Sequence, residues 1–299
     1  MADSATESIA DHDTYTTQPY PRTRLLMVDG GRMGLKKHTV HGLVEFDITR
    51  PRAIIRDHKA RTGETLSFTA FLLACVGQAI EANKHMHAYR DWRNRVVIFD
   101  EVDVNTLFEV EVEGKKTIRP HILRGVNKKT PRELHEEIRA FQQEHAGSRE
   151  SQFITWFVRL PGFVRRLFLK LLFKQPLWIK RYYGTVLVSA IGMFGDGGGW
   201  GLPVPNHTLQ VTLGGIAHKP VLIDDRVEVR EMLSVTISID HDMIDGAPAA
   251  RFTQRLRELV ESGHGLCDLD TPPIASSSAS SSEEPTHGSA TNVRQLPDP

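Results

Sequence analysis

Two carboxylates flank a histidine in the stretch Asp240-His241-Asp242-Met243-Ile244-Asp245-Gly246, with a third carboxylate, Asp245, four residues beyond it. An unperturbed imidazole titrates near pH 6.5, so a histidine held against a ligand can take a proton close to neutrality. A lone loop histidine more often packs or caps, so the elements around it must be read before chemistry is assigned to it. Leu233, Val235, Ile237 and Ile239 alternate with polar residues, the period of a half-buried strand. Beyond Gly246, Pro248 suits the first turn of a helix, and Phe252, Leu256, Leu259 and Val260 follow at helical spacing until Gly263. His241 is therefore predicted at a strand tip, in a short loop that a rigid scaffold can aim at a ligand.

The rest of the chain bounds what that scaffold is. With 299 residues it can bury one large core or two small ones. Lys plus Arg and Asp plus Glu stand at 37 each, which excludes a global pull toward nucleic acid. The cysteines, Cys75 and Cys267, suggest no disulfide framework, which fits a reducing cytoplasm. The N-terminus is polar and acidic and does not read as a secretory signal, and no uncharged apolar run reaches the length of a membrane span. Residues 1–20 read as disordered, 21–269 as the folded domain, and 270–299 as a Ser-rich disordered tail.

Within the domain, Val40 to Ile48 reads as a strand, with Thr49 capping a short helix that places Ile54 and Ile55 inward. Ser67 is the predicted cap of a second helix, whose wide apolar stripe includes Phe71, Leu72, Cys75, Val76, Ala79 and Ile80. Arg95 to Val104 is strand-like, and Phe108 to Val112 and Ile118 to Leu123 form a predicted hairpin about Gly114. Thr130-Pro131-Arg132-Glu133 has the form of a capping box, and Leu134, Ile138 and Phe141 give the helix after it an inner face. Gly184 to Ala190 returns to strand pattern. The glycine-rich stretch from Ile191 to Pro205 lacks the spacing of a nucleotide loop and reads as a bend between strands. Asp224-Asp225 separates two further strand runs as a hairpin turn. The sum is α/β (α+β): a mixed, largely antiparallel sheet with helices packed on one side.

Phe153 to Tyr183 stands apart. No acidic residue occurs between Glu150 and Asp196, while Arg159, Arg165, Arg166, Lys170, Lys174, Lys180 and Arg181 interleave with Trp156, Phe163, Leu167, Phe168, Leu171 and Trp178. Such a segment can pack its apolar face on a sheet, attract a polyanionic ligand, or lie on an anionic membrane. Packing is the expectation, and membrane contact is the least favoured of the three.

Asp-His-x-x-x-Asp-Gly after an alternating strand, followed by Ala-Pro-Ala-Ala-x-Phe, resembles the active-site motif of the acyltransferase subunits of 2-oxo acid dehydrogenase complexes, whose architecture is shared with chloramphenicol acetyltransferase. The likeness extends to Phe46-Asp47-Ile48-Thr49, to Leu66 through Leu72, to Gly184 through Gly195 and to Pro220 through Glu261. It implies a chloramphenicol acetyltransferase-like fold and a dihydrolipoamide acyltransferase-type activity, with coenzyme A or acyl-CoA as substrate, a lipoyl group only in trans and no metal. His241 would be the general base for a thiol, Ser189 a hydrogen-bond donor to the tetrahedral oxyanion, and Asp245 a structural carboxylate paired with an arginine near the N-terminus, Arg22 or Arg24. The resemblance implies a homotrimer or higher cage, with His241 and Ser189 contributed by different copies, a separate lipoyl-bearing protein as a possible partner, and no nucleic acid.

Two departures bear on substrate choice. The dehydrogenase acyltransferases usually place arginine after the motif histidine, where this chain has Asp242. No segment before Leu25 or after Leu269 reads as a lipoyl domain, so the expectation is a free-standing catalytic domain. The alternative is a catalytically inactive trimer of the same fold, serving as a scaffold or acyl-CoA-binding module.

Overall fold

The computed structural model describes residues 15–21, 24–112, 115–143, 157–192 and 197–266. The predicted hairpin glycine Gly114, Cys267, Trp156 and both terminal segments lie outside them. In chain order the elements are α1 (Arg24–Gly34), β1 (Thr39–Asp47), α2 (Thr49–Thr62), α3 (Phe68–Glu81), β2 (Tyr89–Arg90), β3 (Val96–Val97), β4 (Val104–Val112), β5 (Lys115–Leu123), α4 (Pro131–Gln143), α5 (Gly162–Phe173), α6 (Pro176–Tyr183), β6 (Val186–Ala190), β7 (Leu209–Ile223), β8 (Arg226–Asp240) and α7 (Gly246–Ser262).

Among the described residues six strands form one mixed sheet in the order β1-β8-β7-β6-β4-β5. The short β6 pairs parallel with both neighbours, and every other pairing in that sheet is antiparallel. β7 and β8 form a long ribbon closed by Asp224-Asp225, whose φ values of 46° and 59° are those a two-residue primed turn demands.

Alternation along each strand decides what faces the helices. Val186 and Val188, Leu209 and Val211, and Leu233, Val235, Ile237 and Ile239 all enter the main core. They meet Phe71, Leu72, Cys75, Val76 and Ile80 of α3, Leu134 and Ile138 of α4, and Phe252, Leu256, Leu259 and Val260 of α7. Burial drives the Cys75 thiol well above the usual range, so it behaves as a small apolar side chain. Ser67 caps α3 by accepting from the Ala70 N–H at 3.3 Å. The capping box forms as predicted: Thr130 N–H donates to Glu133 Oε2 at 2.7 Å, and Glu133 N–H donates back to Thr130 Oγ1 at 3.3 Å.

Four expectations need correction. Thr49 does not cap α2. Asp47 Oδ1 accepts the Thr49 N–H at 2.9 Å, and the Thr49 hydroxyl instead accepts from Glu231 N–H, tying α2 to β8. The Arg95–Val104 run does not form a continuous strand. Val96–Val97 pairs as the short β3 and Val104 opens β4, but the chain between them leaves the sheet, because Phe99 turns in to pack on His87 and Tyr89, and Asp103 is buried with Arg124 on its carboxylate. The Leu233–Ile239 run of β8 is not half-buried, since Ser234, Thr236 and Ser238 on its polar face are each no more than 1% exposed. Finally, α5 and α6 bury their apolar stripe only in part: Leu172 and Ile179 turn in, but Phe163, Leu167, Leu171 and Trp178 stay exposed.

The glycine-rich stretch covers that polar face at Ser234. Gly199 N–H donates to Ser234 Oγ at 3.2 Å, Trp200 Nε1–H donates to the Val44 carbonyl at 3.0 Å, and Gly199 bridges Gly215 at the bulge in β7. The approach is backbone on backbone. A Cβ on Gly214 would lie 2.1 Å from the Gly199 oxygen, and one on Gly215 would lie 2.0 Å from the Gly197 oxygen. Glycine is required there because two chain segments cross in contact.

Candidate active site

β8 ends at Asp240, and the tight turn that follows carries His241. Asp240 holds this turn together. Its carbonyl accepts from Met243 and Ile244 N–H at 3.0 and 3.1 Å, and its Oδ1 accepts from Asp242 N–H at 3.2 Å. Its other carboxylate oxygen is ion-paired with Lys37, just ahead of β1. The strand register explains how Lys37 arrives there, since Thr39 pairs with Asp240 across β1 and β8. The His241 N–H donates to the His38 carbonyl at 2.8 Å, so the chain before β1 fixes the histidine backbone too. The imidazole itself is exposed, and no hydrogen bond to its ring is formed among the described residues.

Asp242 pairs with a second histidine. His38 Nδ1 lies 2.8 Å from Asp242 Oδ1. That hydrogen bond raises the His38 pKa above its ordinary value and holds the Asp242 carboxyl below the usual carboxylate range. Asp245 occupies the N-cap position of α7 in extended backbone but makes no side-chain capping bond. Among the described residues it has no ion-pair partner. Arg24 opens α1 without reaching it, and Arg22 is outside the described residues. At this turn, the carboxylate held by a cation from the N-terminal part of the chain is Asp240, through Lys37.

Ser189 lies on β6, half-buried, on the sheet face away from the main core. It is in register with Thr212 of β7, which pairs with Thr236 of β8, four residues short of Asp240. At about 3.3 Å per residue and 4.8 Å per strand, the Ser189 and Asp240 Cα atoms are roughly 16 Å apart. One chain therefore does not bring Ser189 and His241 to a common reacting centre, which needs contacts of about 3–3.5 Å. Ser189 instead joins a polar band on that face. One row runs through Ser189, Thr212 and Thr236, and the next contains Asn105, Gln210, Ser238 and His41, with His41 Nδ1 at 2.8 Å from Ser238 Oγ.

A cavity of about 220 Å³ opens beside the His241 turn. Lys36, Lys37 and Arg90 give it cations, Asp240 and Asp242 give it carboxylates, and Met33, Phe173 and Ile179 form an apolar wall. His241 does not line it, though both its neighbours in sequence do. Behind the wall, His207 is stacked on Tyr183 at 4.5 Å, and burial pushes its pKa down to about 4. Lys37, His38 and Arg90 were not legible as site residues, because only the β1–β8 register and the packing of short elements assemble them.

The family model of the 2-oxoacid dehydrogenases acyltransferase (catalytic domain) matches residues 182–267. That segment is similar to the catalytic domain of the dehydrogenase acyltransferases. The chain is 39% identical over 80 residues to the human mitochondrial dihydrolipoyllysine-residue succinyltransferase component of the 2-oxoglutarate dehydrogenase complex, covering 26% of this chain and 17% of that protein. It is 34% identical over 83 residues to the dihydrolipoyllysine-residue acetyltransferase component of the Zymomonas mobilis pyruvate dehydrogenase complex, covering 28% of this chain and 19% of the relative. The chain thus spans less than a fifth of the length of those relatives. In fold the likeness is wider. The structure of a probable dihydrolipoamide acetyltransferase from Listeria monocytogenes superposes with TM-score 0.61 at 19% identity, covering 82% of this chain and 94% of the other. The cubic core of a pyruvate dehydrogenase multienzyme complex gives TM-score 0.61 at 19% identity over 84% of this chain and 94% of its own. The matched segment holds Ser189, His241 and Asp245, whereas Lys37 and His38, which pin and flank the histidine turn, lie outside it.

Proposed function

We propose that this protein is an acyltransferase that moves an acyl group between coenzyme A and a thiol carrier such as dihydrolipoamide, with His241 as general base. The observation that carries the reading is the exposed imidazole on a turn braced by Asp240, within the segment that matches the acyltransferase family. His241 takes the proton of the thiol as its sulfur attacks the thioester carbonyl carbon. A free thiol holds its proton more tightly than a free imidazole, so the transfer must be coupled to attack. The C=O electron pair becomes the oxyanion, to which Ser189 Oγ–H donates. One such donor lowers the barrier by roughly 2.7–4 kcal/mol. The tetrahedral adduct collapses, the C–S bond to the leaving thiolate breaks, and the imidazolium returns its proton to that sulfur.

The separation of Ser189 from His241 within one chain supports assembly in which a second copy supplies the donor, and the likeness to a cubic core supports a homotrimer or larger cage. The cations of the cavity suit a phosphate-bearing carrier. The test is thioester exchange between acyl-CoAs and free dihydrolipoamide for wild type and His241→Ala. Loss of exchange with an unchanged oligomer supports the reading, and full activity in the variant ends it. Calorimetry showing acyl-CoA binding with no turnover for any acceptor would favour the inactive scaffold instead.

A further inference from the structure

Helices α5 and α6 have two unlike faces. Inward, Arg165 pairs with Asp29 of α1 at 2.9 Å, both side chains less than a tenth exposed, and also donates to the Val158 and Leu160 carbonyls. Ile179 packs with Tyr89 and Phe99. Outward, Phe163, Leu167, Phe168, Leu171, Leu177, Trp178 and Tyr182 are 38–70% exposed. That is a concentration of large apolar groups that a protein surface rarely leaves in water. Arg159, Arg166, Lys170, Lys174 and Arg181 are exposed among them, and none has an ion-pair partner among the described residues. No carboxylate occurs in the sequence between Glu150 and Asp196 to neutralise them.

We infer that this outward face docks on an anionic lipid surface. The charge decides the occupant. Mating of the face with the same face of a second copy would set cations against cations with no carboxylate between them. A neutral apolar partner would strip water from unpaired guanidinium and ammonium groups. An anionic headgroup layer supplies the opposite charge, while the acyl boundary beneath it takes up the phenyl, indole and leucyl groups. Trp178 and Tyr182 are the side-chain types that settle at such a boundary. The same helices contribute Phe173 and Ile179 to the cavity beside the His241 turn, so a docked α5–α6 pair ties that cavity to the lipid surface. The inference rests on exposure and charge, and it stands whether or not His241 is a base.

The experiment is co-sedimentation of the full chain with phosphatidylcholine vesicles, with and without phosphatidylglycerol, at low and high ionic strength. Binding to the anionic vesicles, weakened by salt, is expected. Each cation near such a surface strengthens binding roughly fivefold, so the triple variant Arg166→Gln/Lys170→Gln/Lys174→Gln is expected to bind on the order of a hundredfold more weakly. Leu167→Ser/Trp178→Ser is expected to weaken binding with the charge intact. These side chains are exposed, and an unchanged melting temperature confirms that both variants fold. The inference is overturned by no binding, by equal binding to neutral vesicles, by variants that bind like wild type, by capture of heparin without vesicle binding, or by variants that alter the oligomer while wild type ignores lipid.

Discussion

Removing the Lys37 ammonium tests whether the ion pair with Asp240 sets the histidine turn. The Asp240 side chain is 7% exposed and that of Lys37 is 21% exposed. Lys37→Met therefore leaves a nearly buried carboxylate with one remaining hydrogen bond, from Asp242 N–H. Breaking a fully buried pair costs about 3–5 kcal/mol. Because water reaches Lys37, the cost here is set lower, at about 2–3 kcal/mol, or roughly 5–10 °C in Tm for a domain of this size. Asp240→Asn keeps the shape, removes the charge and leaves the ammonium partly solvated, so it should cost less, about 1–2 kcal/mol. Lys37→Met with Asp240→Asn should recover most of the loss, giving a coupling above about 1 kcal/mol. Urea unfolding supplies the energies, and thioester exchange supplies the site readout. Asp240 braces the turn, so Lys37→Met should lower kcat on the order of tenfold while KM moves less. If both single variants unfold at the wild-type urea midpoint, or if their costs simply add, Asp240 is not held by Lys37 and the bracing argument fails.

Arg165→Met should destabilise by about 3–5 kcal/mol because Asp29, 2% exposed, loses its partner, and Arg165→Met/Asp29→Leu should regain most of that in urea unfolding. His87 and His207 are both pushed down to about 4 by burial, so the folded protein keeps them neutral while the unfolded chain protonates below about pH 6.5. Stability is thus expected to fall from pH 6.5 toward pH 4, by about 2 kcal/mol per histidine at pH 5, and His207→Gln should flatten the slope of the urea midpoint against pH; an unchanged slope would exclude its part. In an NMR titration Asp242→Asn should return the raised His38 pKa toward its ordinary value, and an unmoved His38 would show that Asp242 is not its partner.

Much of the site's frame could be read locally. The alternation through Ile239, the spacing of Phe252, Leu256, Leu259 and Val260, the capping box at Thr130 and the turn at Asp224-Asp225 are each written within about fifteen residues. Local propensity and packing agree there. What could not be read depends on pairing between distant segments. Lys37 meets Asp240 across 203 residues, and nothing near either signals the other. Ser234 looks like a solvent-facing residue until a glycine-rich crossing covers it, and that crossing is a matter of backbone approach. Arg95–Val104 misled because its valines and isoleucine fit a strand, yet Phe99 and the buried Asp103 draw the chain away from a partner. The apolar stripe of α5 and α6 had the period of a packed helix. Its direction could not be inferred, because Arg165 turns inward beside Leu172 while Leu167 and Leu171 stay outside.

The sheet order also constrains how the molecule is made. β1 leaves the ribosome early, but its neighbour is β8, and the register joins Thr39 to Asp240. Through nearly the whole of synthesis the first strand has no hydrogen-bonding neighbour, and the loop it must close is among the longest available in the chain. A nascent chain halted before β8 would carry β1 as a bare edge open to other chains. The turn that presents His241 can set only after the segment on either side of it has emerged, so maturation of this protein ends at the place where its chemistry would begin.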